Sequence, residues 1–449
     1  MGAATTQSRV EVAIVGAGLT GMAAAHHLRQ AGVGVRLLEA RDVPGGHAVT
    51  VEERGYRFDR TGHLLHAADP ETLALARAWI GPGCLEIERR SRVWSHGAYT
   101  RYPFQANLHG LPPAVAYECL MGYLAAARGP AAPAPGETFE GWCLRHFGTG
   151  ICRHFMFPYN GRLWGVPPGA ISAEWCARFV PVPTLEDVVA GAVGLADREL
   201  GYNARFLYPR RGIGALSEGL ARAAGPIELG RAPVLVDLER RELVLPDERI
   251  GFEVLVSTAP LPELLRLCRP LPDAVAAAGA RLRKTHLYYL DVALRSPCLV
   301  PYHWIYVPEA RYPFYRVGCY SNFSDAMAPP GAASLYVELA ERREPDLREL
   351  LPAVAAGLCE MGVCRTPESV LFARLRRIEH AYVLYDDAYA PSLAAIRPFL
   401  AEARVLSTGR YGGWNYSSMG DALGFGRDAA REAQVLLGAG SRTGGEAPP

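Results

Sequence analysis

The sequence predicts an α/β protein: a Rossmann-like nucleotide-binding domain assembled from both ends of the chain, with an inserted helical subdomain and a mostly antiparallel sheet domain. Three observations predict it. An apolar strand, a glycine-rich turn, a helix and a second strand follow one another in VEVAIVGAGLTGMAAAHHLRQAGVGVRLLEARDVPGG, residues 10–46. A buried-type strand, ARVLSTGR, and a glycine-started helix, GDALGFGRDAAREAQVLLGA, lie near the other end. Between them THLYYLDVAL, YHWIYVP and FYRVGCYSNF alternate as antiparallel strands do.

Each part of the first segment has a physical task. Gly16 permits the tight turn, Gly18 lets backbone approach a pyrophosphate, and Gly21 lets the helix pack closely on the strand. The helix then points its positive end at the phosphates. Glu39, roughly 20 residues beyond the turn, can accept from ribose hydroxyls, and its charge disfavours a 2′-phosphate, hence NADP. Gly45 and Gly46 form a second glycine turn that favours FAD over NAD by analogy with flavoproteins.

The remaining chain orders itself around this unit. Residues 10–100, 205–265 and 400–440 are expected to form the FAD-binding domain, 101–204 a mostly helical subdomain, and 266–399 an antiparallel β-sheet substrate domain. The termini, 1–9 and 441–449, are expected to be disordered. GPAAPAPGE, residues 129–137, reads as a surface linker. FEVLVSTAP is a buried strand ending in a turn.

Composition narrows the function. With 449 residues there is enough chain for two or three substructures, and a net charge of +1 with dispersed Lys and Arg offers no footprint for nucleic acid. No signal-peptide h-region and no membrane-spanning run occur, so a cytoplasmic protein without a membrane partner is expected. The ten cysteines, without a CxxC, read as reduced thiols. No His, Cys and carboxylate cluster has metal-ligand spacing, so no metal site is expected.

The unusual content is a set of aromatic and arginine clusters: YPFQAN, FMFPYNGRLWGVP, ARFVPVP, GYNARFLYPRRGIG, WIYVP, YPFYRVGCYSNFS, HAYVLYDD and GRYGGWNY. Arginine forks bind diphosphates, tyrosine hydroxyls add neutral donors, and aromatic faces stack bases or sugars. The strings YPFQ-N, GTGI, FM-PYN--LW-VP, PFYR followed by SN-S, and GR-G-W-Y resemble the UDP-galactopyranose mutase family, in its eukaryotic-type branch, from Val10 to about Ala430.

The resemblance implies a flavoenzyme, an isomerase without net redox change, that interconverts pyranose and furanose forms of a nucleotide-diphosphate sugar. UDP-galactose, or a related UDP-, GDP- or dTDP-hexose, is the implied substrate. In that family reduced FAD attacks the anomeric carbon through N5, and a flavin–sugar iminium opens and recloses the ring. NADH or NADPH is a possible external reductant. Carried over by position, Arg178 and Arg316 would clamp the diphosphate, with Tyr306, Tyr382 and Tyr416 completing a cage. His63, in the turn TGH, would sit beside the flavin with Thr61 and Gly62, and Asn203 near the sugar. Arg410, Gly420, Asp421 and Ala422 would contact FAD. Tyr102, Gln105, Phe155, Tyr159, Asn160 and Trp164, with Trp304, would bind the nucleoside side of the substrate, and Arg89 is a candidate for the flavin side.

Departures from the family pattern bound this transfer. Thr61 stands where the family has glycine, Ala106 replaces an amide and Phe157 a basic residue, so the flavin loop and the pocket rim are expected to differ. The stretch from Ser324 to Tyr336 is shorter than the family's insertion, which leaves the oligomeric state open. Two other readings stand beside this one: an amine-oxidase-type FAD oxidoreductase on the same fold, and a nucleotide-sugar mutase that works without flavin, against which the intact glycine fingerprint speaks.

Overall fold

A computed structural model describes residues 6–67, 69–130, 132–134, 136–195 and 204–441. Its first layer is an eight-stranded sheet centred on Thr6–Val15, which is paired in parallel with Val35–Glu39 on one side and Glu248–Ser257 on the other. Val405–Ser407 adds to Glu248–Ser257, so a strand from near the C-terminus completes the sheet begun at the N-terminus. Val12, Ile14, Leu37, Val254 and Val256 are fully buried, as strands covered on both faces require. Helices Leu19–Gln30 and Met419–Ser441 pack together against this sheet. The α/β class and the Rossmann-like unit expected from the sequence are present.

The second layer is a seven-stranded sheet, mostly antiparallel, in which Lys284–Leu294 pairs with both Ala333–Leu339 and Val370–Val383. Phe314–Cys319 lies beside Ala333–Leu339, and Trp304–Tyr306 beside Phe314–Cys319. Ser91–Ser95 and Ala98–Arg101 close the far edge of this second sheet, although all but Arg101 fall in the 10–100 segment expected for the nucleotide-binding domain. Their register explains it: Ser91 to Val93 pair with Trp304 to Tyr306. The helices between the sheets include Phe139–Ile151, Phe157–Trp164 and Leu185–Ala192. Gly148, at φ +72°, kinks the first of these, and a π-turn over Cys152–Met156 joins it to the second.

Residues 6–9 are not disordered as expected; they extend the central strand. Thr6 to Arg9 pair with Glu248 to Gly251, and Ser8 Oγ donates to Glu248 at 2.6 Å. The expected tail beyond Ser441 lies outside the described residues, as do two positions of the 129–137 linker. Glu248 is the hub of this edge, since Arg36 reaches it at 2.5 Å and Arg231 at 2.5 Å. Among the described residues no helix is long and apolar enough to cross a membrane.

The hydrogen bond from Arg36 is the main reason that the Glu248 carboxyl drops to about 2. A depressed acid contributes stability above its ordinary value near 4.5 and loses it as pH falls through about 2. Glu248→Gln should therefore lower stability at pH 7 by up to about 3 kcal/mol, with the two denaturation midpoints converging as the pH approaches 2. A variant whose midpoint stays equally displaced at every pH would contradict this assignment.

Candidate functional site

Between the two sheets and the helical segment runs one elongated cavity of about 640 Å³. Its ends are built from different elements, and so carry different chemistry.

At the first end the chain presents bare backbone. Gly16 adopts φ +98°, and a Cβ on Gly46, at φ +63°, would stand 3.2 Å from the Gly18 Cα. The two glycine turns therefore face each other with no side chain between them. Helix Leu19–Gln30 starts at Gly18 with no side-chain cap and no acidic residue in its first turn, leaving its N-terminal dipole to an anion. Glu39, 7% exposed, accepts from the Ala17 N–H at 2.8 Å and the Arg41 N–H at 3.0 Å. A carboxylate fixed in this way at the end of its strand suits ribose hydroxyls. The residues fit a dinucleotide such as FAD.

Gly21 does not line the cavity; a Cβ there would fall 1.9 Å from the Gly16 carbonyl oxygen, so its task is the close packing of helix on strand. Gly45, Thr61, Gly62, His63, Arg410 and Ala422 all line the cavity. Thr61 holds the left-handed φ of +67° that glycine would favour. It is fixed there by its N–H on the Asp59 carbonyl at 3.1 Å and by Tyr320, whose hydroxyl reaches the Asp59 carbonyl at 2.7 Å and the Thr61 carbonyl at 3.2 Å. The loop carrying His63 is thus pinned from behind, and substituting threonine for glycine has not closed the cavity. Burial lowers His63 to about 4, so it is neutral at physiological pH.

At the other end stands Arg316. Its Nη2 donates to Glu338 at 2.6 Å and approaches the Tyr382 hydroxyl at 3.4 Å. Arg316 and Glu338 face each other across neighbouring antiparallel strands, and the Glu338 side chain is fully shielded from solvent. Burial works against the guanidinium charge, but the Glu338 carboxylate beside it more than offsets this and holds the Arg316 pKa well above its ordinary value. Tyr306, Tyr382, Tyr416, Trp164 and Trp304 line the same end, with the Tyr382 and Tyr416 rings 5.7 Å apart. Burial raises the phenols of Tyr306 and Tyr382, which keeps them protonated as donors.

An aromatic channel leaves this cage toward the helical segment. Tyr102 stacks on Tyr306 at 4.8 Å and Phe155 on Tyr159 at 5.3 Å. Gln105 gives its amide N–H to the Pro181 carbonyl at 2.7 Å, and Asn160 gives its own to the Met156 carbonyl at 2.8 Å. Both line the cavity, as do Tyr102 and Phe155. Arg89 lies over the Tyr102 ring at 5.0 Å, on this channel rather than on the flavin side expected for it. Ala106 and Phe157 are not among the lining residues; the Ala106 carbonyl backs onto Gly191.

Three expected site residues stand elsewhere. Arg178 is not part of the cavity lining: 59% of its side chain is exposed, and it pairs with Asp421 at 2.5 Å. Asp421 is not a lining residue either, because it caps its own helix through Ser418, whose N–H reaches it at 2.8 Å. Gly420 packs against the His66 carbonyl, which a Cβ would meet at 2.2 Å. Asn203 lies outside the described residues.

The structure also brings in residues that the sequence did not single out. Glu338 has no motif; only strand register sets it against Arg316. Tyr336 lines the cavity with its hydroxyl against Gly62 and its ring in the space left by Gly318. His47, directly after the second glycine turn, is an available signal: it lines the cavity and its ring meets Tyr411 at 5.6 Å.

Fold and cavity together define an α/β protein of the flavoprotein fold class, with a cradle for a dinucleotide. Residues 14–79 match the family model described as an NAD(P)-binding Rossmann-like domain. The reduced UDP-galactopyranose mutase crystal structure superposes with a TM-score of 0.89 at 27% identity, covering 95% of this chain and 94% of that one. Putrescine oxidase bound to putrescine shares the fold at a TM-score of 0.66 and 17% identity, over 96% of this chain and all of that one. In sequence, phytoene dehydrogenase of Streptomyces griseus is 54% identical over 58 residues, 13% of this chain and 11% of that protein. Amine oxidase [flavin-containing] B of Bos taurus is 31% identical over 101 residues, 22% of this chain and 19% of that protein. These matches thus span less than a quarter of either relative's length.

Removing Glu338 leaves the Arg316 guanidinium, 20% exposed at the cavity wall, without its carboxylate, at a cost of at most about 3 kcal/mol. Glu338→Leu should accordingly unfold at a clearly lower temperature than wild type, and Arg316→Met with Glu338→Leu should recover most of that loss. A double variant no more stable than the single one would mean that an unpaired Arg316 charge is not what destabilises Glu338→Leu.

Proposed function

We propose that the protein is a flavin-dependent mutase that interconverts the pyranose and furanose forms of a nucleotide-diphosphate sugar, UDP-galactose or a related UDP-, GDP- or dTDP-hexose. The observation that carries the reading is the cage of Arg316, Tyr306, Tyr382 and Tyr416 facing a dinucleotide cradle along one cavity, in a chain whose likeness to UDP-galactopyranose mutase extends over nearly its whole length. Reduced FAD, when bound, supplies the nucleophile for the anomeric carbon, with NADH or NADPH as the candidate electron source.

The chain's own residues do the rest. Arg316 receives the diphosphate and, held by Glu338, keeps its charge in place as the anomeric bond breaks and negative charge grows on the leaving group. The Tyr306, Tyr382 and Tyr416 hydroxyls add neutral donors that keep the released diphosphate beside the sugar for its return. Tyr102, Phe155 and Tyr159 take the base against aromatic faces, with Gln105 and Asn160 at its edge. His63, Thr61 and Arg410, which line the cavity, would border the flavin, and the Arg410 guanidinium stands 4.9 Å over the Tyr416 ring. Arg178 reaches the diphosphate on this reading only by exchanging Asp421 for it.

A second reading, a net oxidoreductase, draws on the local likeness to amine oxidases and phytoene dehydrogenase. A charged cage suits a diphosphate better than an amine or a hydrocarbon. A panel of nucleotide sugars incubated with dithionite-reduced protein, read by chromatography and NMR, decides between them. Conversion of at least one pyranose to its furanose, lost by ~100-fold or more in Arg316→Ala with flavin still bound, is the expected outcome. Substrate-dependent oxygen uptake unaffected by nucleoside diphosphates, with no ring isomer formed, would overturn it in favour of the oxidoreductase. Turnover by protein without flavin absorbance would instead support the flavin-independent mutase.

A further inference from the structure

Helix Leu347–Glu360 ends in a Schellman turn. Gly362 takes the left-handed position at φ +68°, its N–H donates to the Cys359 carbonyl at 2.9 Å, and the Val363 N–H donates to the Leu358 carbonyl at 2.9 Å. Leu358 and Val363, the apolar pair that accompanies this motif, are both buried in the core that backs Phe314–Cys319. A further bond from the Leu299 N–H to the Val363 carbonyl, 3.0 Å, clamps the turn from a neighbouring loop. The backbone between Cys359 and Cys364 is therefore fixed, and it sets their two sulfurs 3.4 Å apart.

We propose that Cys359 and Cys364 form a redox-active dithiol, a modification site for two-electron oxidants of the peroxide class, which closes to a disulfide across this turn. The two sulfurs stand in van der Waals contact at 3.4 Å, within reach of the ~2.05 Å S–S bond. Cys359 is partly exposed, whereas Cys364 is 1% exposed. Burial pushes the Cys364 thiol up to about 12, so it remains protonated and Cys359 meets the oxidant first.

The steps balance. The Cys359 thiolate attacks one peroxide oxygen and the O–O bond breaks; the sulfur becomes a sulfenic acid, and the expelled hydroxide takes the proton lost by the thiol to leave as water. Cys364 passes its proton to the sulfenic hydroxyl as its sulfur attacks; the S–S bond forms, the S–O bond breaks, and the hydroxyl leaves with that proton as a second water. Two thiols and one hydrogen peroxide give one disulfide and two waters.

The test uses the full-length, flavin-loaded protein treated briefly with stoichiometric hydrogen peroxide, then alkylated and mapped by peptide mass spectrometry. A Cys359–Cys364 link should appear at least ~10-fold faster than oxidation of any other cysteine, and dithiothreitol should reverse it. In Cys364→Ser the link should be absent and Cys359 should be trapped as a dimedone adduct. Cys359 and Cys364 both remaining fully alkylated, or a link through Cys298 forming in preference, would overturn the proposal.

Discussion

A carboxylate with no access to solvent holds the guanidinium that stands at one end of the cavity. Glu338 and Arg316 are opposite one another on antiparallel strands, so their contact is a property of strand register rather than of a flexible surface pair. Buried ion pairs are costly to assemble and costlier to break, and this one ties the placement of Ala333–Leu339 against Phe314–Cys319 to a functional group. The tyrosines around it depend on the same register. Tyr306 pairs directly with Arg316 on the next strand, and Tyr382 comes from the strand on the far side of Lys284–Leu294. A slip by one residue would turn Arg316 to the other face of the sheet.

The opposite end of the cavity obeys another logic. There the useful surface is backbone, exposed because glycines at 16, 18, 45 and 46 leave it bare, and its polarity comes from a helix terminus and one fixed carboxylate. Oriented dipoles stand at one end and, at the other, a guanidinium paired with Glu338 and ringed by tyrosine hydroxyls, so a single cavity presents donors at both ends. Such a layout matches a ligand pair made of a dinucleotide cofactor and a second phosphorylated molecule.

How much of this could be read from the sequence follows from how local each requirement is. The glycine turn and Glu39 were legible because tight turns, close backbone approach and strand ends are imposed within a few residues. The aromatic clusters announced the channel, since Tyr102, Tyr159 and Tyr306 sit in dense motifs. Glu338 was invisible because it stands alone in an ordinary strand and acquires its partner only through pairing. Arg178 misled for the related reason that a motif says nothing of which carboxylate competes for its arginine, here Asp421. Thr61 was expected to alter the flavin loop; how it is accommodated was not legible, because Tyr320, distant in sequence, hydrogen-bonds the Thr61 carbonyl and holds the left-handed threonine. Order at Thr6–Arg9 depended on Glu248, equally remote.

The central claim is that Arg316, held by Glu338, is the receptor for a diphosphate at the end of the cavity remote from the glycine turns. A crystal structure of the flavin-loaded protein with a bound nucleoside diphosphate tests it most directly. The account predicts phosphate oxygens within hydrogen-bond distance of the Arg316 guanidinium and of at least one hydroxyl among Tyr306, Tyr382 and Tyr416. A nucleoside diphosphate seated elsewhere, with Arg316 touching only Glu338, would contradict it.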